Sequence, residues 1–578
     1  MATPHAVETF IVGKDSSLEL SISTMQAKLE ALGFHVEEKS WLNPVDGIWS
    51  VHLRDRDCPL MFTNGKGATK LASRASALGE FFERLSCNYF WNHYYLGRAY
   101  SEGSIRSFVH YPQEKWIKPP KNGKWPKELL NPDLQKFYNP NGSIDANTLV
   151  DFNSGNAERG ICTIPYVKLR DQSVVNIPVN IIANLYVSNG MSAGNTANEA
   201  RAQALSEVFE RHIKFRIISE GLCLPDVPEA VIARYPKIAA GVAGLRAAGF
   251  GILVKDASLG GKFPVMNVTL LNPVDQGCFS SFGAHPRFEI ALERALTELL
   301  QGRALDALEG FPEPGFDLEE IASSPNIEIH FVDSSGIISW NFLSDKPDFA
   351  FVDWNFGNST QEDYEWLVDA IHTSGHDIYV ADFKHLGVYA CRILVPGMSE
   401  IYPIDELEWE NNSVANDIRE PILHLADLDN DECSDLLETL NECGVEEQRL
   451  VAAFIGLAPG DNAFWKDLRI GELKTMLAMA IGDKQAIAEG CDWIRSFAQI
   501  SADRRKVYRC VEALNGLGES KPYTAALISM FGKETLAQAQ DLITGKLRFF
   551  GQPSISLDLN GCDMHQRLLT AYGKLHQQ

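Results

Sequence analysis

With 578 residues and 45% hydrophobic content, the chain exceeds what one hydrophobic core usually organises, so two or more domains are expected. Its 52 basic against 76 acidic residues give a formal charge of −24, which repels phosphate backbones and anionic membranes and argues against a primary nucleic-acid binder. There is no run of 18 apolar residues, MATPHAVETFIVGKDSS has neither a cationic n-region nor an apolar h-region, and the 11 cysteines form neither a CxxC pair nor a zinc-like cluster with the 14 histidines. The expectation is a soluble cytoplasmic protein with reduced thiols.

In chain order, residues 16–33 (SSLELSISTMQAKLEALG) space apolar side chains as a helix does and end on Gly33, predicting a helix with a C-terminal glycine. A strand-like run, WSVHLRD, follows at 49–55. Residues 100–160, rich in Pro, Gly, Asn and Trp and lacking periodicity, predict a loop-rich surface insertion. From about 161 to 405, short apolar runs (VNIPVNIIANLYV, FPVMNVTLLN, FAFVDW, DIYVADF, VYACRILV) alternate with helical stretches, the pattern of a mixed α/β or α+β domain. After PGMSEIYP at 396–403 the β signal fades and Leu/Ala-rich amphipathic segments take over. Paired helices joined at a Gly-Asp turn suggest a tetratricopeptide-like (TPR-like) all-α region, although no clean repeat period is visible. The expected division is 1–409 and 410–578.

Three segments repeat one pattern: ALGEFFER at 77–84, ALSEVFER at 204–211 and ALTELLQG at 295–302. Each follows a strand-like run and a glycine-bearing turn: TNGKGAT, SNGMSAGNT and SFGAHP. Gly65 to Glu80 and Gly283 to Glu298 are both 15 residues apart, whereas Gly190 to Glu207 is 17. At about 100° per residue, Glu80, Glu83 and Arg84 share a helix face with Ser73 and Ser76, opposite Leu71, Ala75, Leu78, Phe82 and Leu85. Glu207, Glu210 and Arg211 share a face with Gln203 in the second unit, and Glu298 joins Arg294 in the third.

A single such face would simply meet water, with Glu and Arg pairing along the helix. Recurrence at one phase after glycine turns points instead to a shared cleft, in which carboxylates hold Mg²⁺ and arginines hold phosphate. Such carboxylates need cations nearby, because alone they would repel one another and resist ionisation. GKGAT is not a P-loop, and no GxSxG, HExxH or EF-hand pattern suggests a competing chemistry.

ALGEFFERLS, SNGMSAGNTANEARAQALSEVFERHIK, FGAHPRFEIALERALTELLQGR, IVGKDSSLELSI and VDWNF resemble the YcaO family over essentially the whole chain. The resemblance is closest to its housekeeping bacterial members, described as accessory factors for methylthiolation of a small-subunit ribosomal protein. It implies an α+β YcaO-type domain followed by the helical region, with ATP and Mg²⁺ as cofactors. By matching motif, Glu80, Glu83, Glu207, Glu210 and Glu298 would be Mg²⁺ ligands, directly or through water. Arg84, Arg211 and Arg294 would contact phosphates or orient those glutamates. Lys14 and Ser21, with Ser192, Asn195 and Glu199, would complete the nucleotide site. The implied chemistry adds a nucleophile to an amide carbon, passes the resulting oxyanion to the γ-phosphoryl of ATP, and expels phosphate. No residue is singled out as general base. The chain ends AYGKLHQQ, without the proline-rich tail of many azoline-forming members, which argues against azoline synthesis. A radical-SAM methylthiotransferase and a ribosomal protein are the implied partners of a cytoplasmic homodimer, without direct nucleic-acid contact. The alternative is mainly a scaffold that docks the methylthiotransferase through its helical region, with ATP binding regulatory.

Overall fold

A computed structural model describes residues 8–98, 108–405, 407, 413–461, 464–517 and 520–576. It is an α+β structure with three antiparallel sheets. Helix α1 (Leu18–Ala31), capped by the Ser17 side chain, precedes a meander of β1 (Val36–Val45), β2 (Ile48–Asp55) and β3 (Phe62–Gly67). Thr69 then caps helix α2 (Lys70–Ser86) by accepting from the Ala72 amide. Strands β4 (Lys115–Ile117), β5 (Ile161–Lys168), β6 (Val174–Pro178) and β7 (Met191–Gly194) belong to a second sheet. Thr196 caps the long helix α3 (Ala197–Glu220), which stops at Gly221 in the left-handed conformation. A second meander, β8 (Gly251–Asp256), β9 (Val265–Leu271) and β10 (Cys278–Ala284), leads into α4 (Phe288–Leu299). Helix α5 (Thr360–Thr373), β11 (Tyr379–Phe383) and β12 (Tyr389–Leu394) complete this half, the six-stranded sheet running β4-β5-β11-β12-β7 with β6 beside β5.

The first and third glutamate helices therefore follow the same unit, a three-stranded meander whose last strand lies against the helix. The middle helix α3 instead follows an edge strand of the large sheet. Glycine makes the close approach possible: a Cβ on Gly65 would sit 2.1 Å from the Ser73 carbonyl oxygen, and one on Gly283 would sit 2.3 Å from the Ala295 nitrogen. In the middle unit Gly194 lies against the first turn of α3, where a Cβ would sit 3.0 Å from the Ala200 nitrogen, the counterpart of Gly67 in the first unit. Gly190 has φ +74° and abuts the Ile393 carbonyl, so it serves a strand turn, which explains its discordant spacing.

Three expectations are corrected. VNIIANLY is helical at 179–186, because a run buried on every side has no period to separate helix from strand. FAFVDW forms no strand; its Val352 amide and Trp354 indole both donate to Asp256. Residues 99–107 lie outside the described residues, but 108–160 are more than a surface excursion, since Leu129, Tyr138, Ala146 and Leu149 are wholly buried in a core shared with β5 and β11.

From residue 413 onward the described elements are helical. Helix Ile470–Ile481 and helix Lys484–Phe497 pack together across the Gly482-Asp483 turn, and Asp483 caps the second by accepting from Gln485 and Ala486. Helix Lys533–Ile543 contacts both Ala502–Leu517 and Ile470–Ile481, so the array folds back on itself. The hydrophobic core does not divide near residue 410. One cluster runs from Leu29, Phe34, Phe81 and Trp91 through Ile422, Leu477 and Tyr572. Trp91 donates its indole N–H to the Leu568 carbonyl at 3.0 Å, His565 bonds the Tyr95 carbonyl at 2.8 Å, and the Tyr572 hydroxyl donates to the Val109 carbonyl at 2.7 Å.

Trp91, 2% exposed, thus sits on the seam between the two halves. Trp91→Ala is expected to lower the unfolding free energy by about 3–5 kcal/mol in urea denaturation. A fragment ending at 410 is expected to lose cooperative unfolding, since it strips the cover from Phe34 and Trp91. A loss below about 1 kcal/mol for Trp91→Ala would mean that the halves are coupled elsewhere.

Candidate active site

Strand alternation sets the wall of the site. Along β3, Thr63, Gly65 and Gly67 face α2, with the Thr63 hydroxyl donating to the Ala77 carbonyl, so Asn64 and Lys66 point the other way. There they line a cavity of about 1480 Å³ between α2, α3 and α4. All thirteen residues singled out from the sequence line this one cavity.

The carboxylates lie along its middle. Arg84 pairs with Glu80 at 2.5 Å and Arg211 with Glu207 at 3.1 Å, each one turn apart on its helix. Arg294 reaches from α4 to α3, donating to Gln203 at 2.5 Å and lying 3.8 Å from Glu210. Glu210 also accepts from the Ala284 amide at the end of β10. Glu298 forms an ion pair with Lys66. Two arginines are braced by ring faces, Arg84 over Tyr89 at 5.4 Å and Arg211 over Phe331 at 4.6 Å.

The remaining candidates gather at the N-terminal end of α3. Glu199 is 4% exposed and is held by Lys14 at 3.3 Å, the Asp15 amide at 3.0 Å and Asn195 at 2.9 Å. Ser21 donates to Asn195 at 2.8 Å. Ser192 is buried beside them. Ser73 does not join the glutamate face: it is buried on the far side of α2, donating to the Trp49 carbonyl, while Ser76 does line the cavity.

Crowding shows in the protonation equilibria. Burial pushes Glu83 well above the usual carboxylate range, and the charges of Glu207 and Glu80 push it further. Burial also raises Glu207, with Arg211 opposing it. Burial lowers Lys66 to about 8 and Lys214 to about 7. Crowded, buried carboxylate oxygens are the hard donors that Mg²⁺ takes. The buried Nε atoms of Arg84 and Arg294 have no hydrogen-bond partner, as suits guanidiniums aimed at an anion's oxygens. The residues present therefore fit both Mg²⁺ and a phosphate chain.

Sequence reasoning missed Lys66 and Lys214. Lys66 carried a signal, a lysine between two glycines in a strand, whose side chain must leave on the face opposite the helix. For Lys214 the signal was its position four residues past Glu210 on the same stripe. Elsewhere the fold brings His110, Asp151 and Cys162 within 4.8 Å, which their scattered positions did not suggest. His110 bonds Asp151 at 2.6 Å and Asn88 at 2.9 Å, tying the 108–160 segment to the end of α2. All eleven cysteines are unpaired, and no helix among the described residues is long and apolar enough to cross a membrane.

The chain is 48% identical to the ribosomal protein S12 methylthiotransferase accessory factor YcaO of Escherichia coli, covering 99% of this chain and 98% of that protein. It is 47% identical to an uncharacterized protein of Haemophilus influenzae, with the same coverages. Among solved structures it resembles YcaO from Methanopyrus kandleri bound with AMPPCP and Mg²⁺, with 17% identity, a TM-score of 0.42, and coverage of 68% of this chain and 94% of that one. The profile of the YcaO cyclodehydratase C-terminal domain matches residues 415–578. That of the YcaO cyclodehydratase itself, described as ATP- and Mg²⁺-binding, matches residues 64–399. With that match and those identities, this chain belongs to the YcaO family.

Proposed function

We propose that the chain activates a backbone amide by phosphoryl transfer, using ATP and Mg²⁺, and serves as an accessory factor in methylthiolation of a small-subunit ribosomal protein. The observation that carries this reading is the single cavity that gathers five glutamates and three arginines from three helices. The accessory role is supported by the name of the E. coli relative. Glu80, Glu83, Glu207, Glu210 and Glu298 would hold Mg²⁺, and Arg84, Arg211, Arg294 and Lys66 would hold phosphate oxygens. When bound, ATP with Mg²⁺ supplies the phosphoryl group that makes an amide oxygen able to leave.

The chain's own part is positioning and charge balance. Arg84 and Arg211 are fixed twice, by a glutamate on their own helix and by an aromatic face, so little side-chain freedom remains to be lost on binding an anion. Arg294 ties α4 to α3, so the two walls keep their spacing. Lys14, Ser21, Asn195 and Glu199 form a rigid polar end suited to the nucleoside.

A scaffold that docks a radical-SAM methylthiotransferase is the second reading, favoured by the accessory-factor name of the relative. Buried glutamates that resist ionisation work against it, because docking alone has no use for them. Titration calorimetry with a non-hydrolysable ATP analogue tests the nucleotide site that both readings share: heat with Mg²⁺ and none with EDTA is expected, whereas equal heats would remove it; ATP turnover by the purified protein, alone and with candidate partners, separates the enzyme from a scaffold whose ATP binding is regulatory. Arg294→Ala should weaken analogue binding about 10–100-fold, the equivalent of one charge-assisted hydrogen bond.

A stability prediction follows from the raised carboxyls. Both Glu83 and Glu207 ionise less readily folded than unfolded, so their contribution to stability is complete below the unfolded value of about 4.3 and is lost as pH rises through the folded values. At neutral pH without Mg²⁺, Glu83→Gln should therefore melt above wild type. With Mg²⁺ and the analogue the order should reverse, since only wild type keeps the ligand. A thermal melt in which Glu83→Gln is never the more stable form would show that Glu83 is not under this repulsion.

A further inference from the structure

We propose that the segment 313–340 is the docking surface for the substrate protein, a basic polypeptide that lies across it to present its amide to the cavity; this rests on the amide-activating reading above. Between Arg303 and Lys346 the chain carries nine Asp or Glu residues and no Lys or Arg. The same stretch leaves large apolar side chains in water. Phe316 is 85% exposed and Trp340 47%, and their rings stack with centroids 6.0 Å apart. Ile329 and Val332 are exposed one turn apart on the helix Ser324–Val332, Val332 by 70%. Exposed apolar residues scattered singly are ordinary. A stacked aromatic pair with two further exposed apolar residues in so short a stretch, rimmed by charge, is the pattern of an interaction surface.

The surface is fixed before anything covers it. The Gly315 amide donates to the Ile338 carbonyl at 2.8 Å and the Trp340 amide to the Gly315 carbonyl at 3.0 Å, so the two rings stand on paired backbones. Asn326 clasps the segment further along, donating to the Ile321 and Ile337 carbonyls and accepting from the Ile337 amide. Little freedom therefore remains to be lost on binding. The helix Ser324–Val332 is also a wall of the cavity. Its Phe331 lies under Arg211 at 4.6 Å, and Lys214 on α3 donates to the His330 carbonyl at 2.5 Å and the Ser334 hydroxyl at 2.7 Å. Val332 and Asp333 line the cavity and face solvent at once. A chain lying on this surface thus reaches the opening beside Arg211, a residue the proposed function gives to phosphate.

Charge selects the occupant. Glu313, Glu319 and Glu320 are exposed and, among the described residues, make no ion pair within the chain. A second copy seated here by a two-fold axis would bring this acidic surface toward its own image, with like charges opposed. A basic polypeptide is drawn to it instead, its cations meeting the carboxylate rim and an apolar side chain covering the Phe316–Trp340 pair. A protein that lies on ribosomal RNA is basic for the same electrostatic reason, since it must neutralise phosphates. The substrate class of the proposed function and the chemistry of this surface therefore agree.

The test measures binding of fluorescently labelled ribosomal protein S12 to the full-length chain by anisotropy, at about 0.15 M salt so that weak surface attraction is screened. Wild type is compared with Phe316→Ser/Trp340→Ser, with Glu313→Lys/Glu319→Lys, and with Phe497→Ser/Met530→Ser, which removes exposed apolar groups from the helical half instead. The first two pairs should weaken binding about 30-fold, the size of an interface hot spot, and the third should leave it unchanged. ATP-analogue affinity should stay within about threefold in all of them, which shows that each variant is folded. No binding of S12 to wild type, an affinity that neither of the first two pairs lowers, or a loss confined to the third pair would overturn the proposal. So would a wild-type dimer that Phe316→Ser/Trp340→Ser splits into monomers in sedimentation, because the surface would then cover a second copy. Wild type that binds S12 through this surface yet does not bind the analogue would overturn the amide-activating reading and leave the docking surface standing.

Discussion

Five carboxylates from three helices share one partly buried cavity, and the rest of the structure is arranged to let them do so. Two like charges 4 Å apart repel by about 4 kcal/mol at the effective dielectric of a protein surface. The fold answers with one cation per neighbour: Arg84 for Glu80, Arg211 for Glu207, Arg294 for Glu210 and Lys66 for Glu298. Among the described residues Glu83 makes no ion pair, and it is the carboxyl pushed well above its usual range. Charge balance is incomplete there, which sets this cluster apart from a set of satisfied salt bridges.

Backbone proximity keeps the charges in register. Gly65 and Gly283 let α2 and α4 lie directly on the last strand of their meanders, and Gly194 does the same for α3. A helix so close to its strand has one rotational setting, because any side chain in between would lift it away. The apolar stripe then fixes which face turns to the cavity. On α2, Leu78, Phe81, Phe82 and Leu85 are buried while Glu80, Glu83 and Arg84 line the opening.

This explains what the sequence revealed and what it hid. Helical phase and strand alternation are local properties, so the three glutamate faces and the strand before each helix are legible in the sequence. All the carried-over residues line one cavity, because a repeated motif reports a repeated environment. Long-range pairing is not local. The sequence showed neither that Lys66 would meet Glu298 across 232 positions nor that His330 would hold Lys214. It misread VNIIANLY and FAFVDW because fully buried runs lack a polar side to mark the period. The change of pattern near residue 410 likewise says nothing about which apolar faces meet across it.

That meeting bears on how the protein works. Phe81 on α2 packs on Phe90 at 5.1 Å, Phe90 on Trp91 at 6.0 Å, and Trp91 on Tyr572 at 5.4 Å. A line of rings therefore joins the helix that carries Glu80 and Glu83 to the final helix of the chain. The apolar face of α2 packs on α1 and on the turn that carries these rings, so the C-terminal helices reach the back of the first glutamate pair only through them. Enzyme and scaffold are then not alternatives assigned to separate halves. The helical half and the helix bearing Glu80 and Glu83 thus stand on one body of packed side chains, because Leu477 and Tyr572 belong to the same apolar cluster as Phe81 and Phe82.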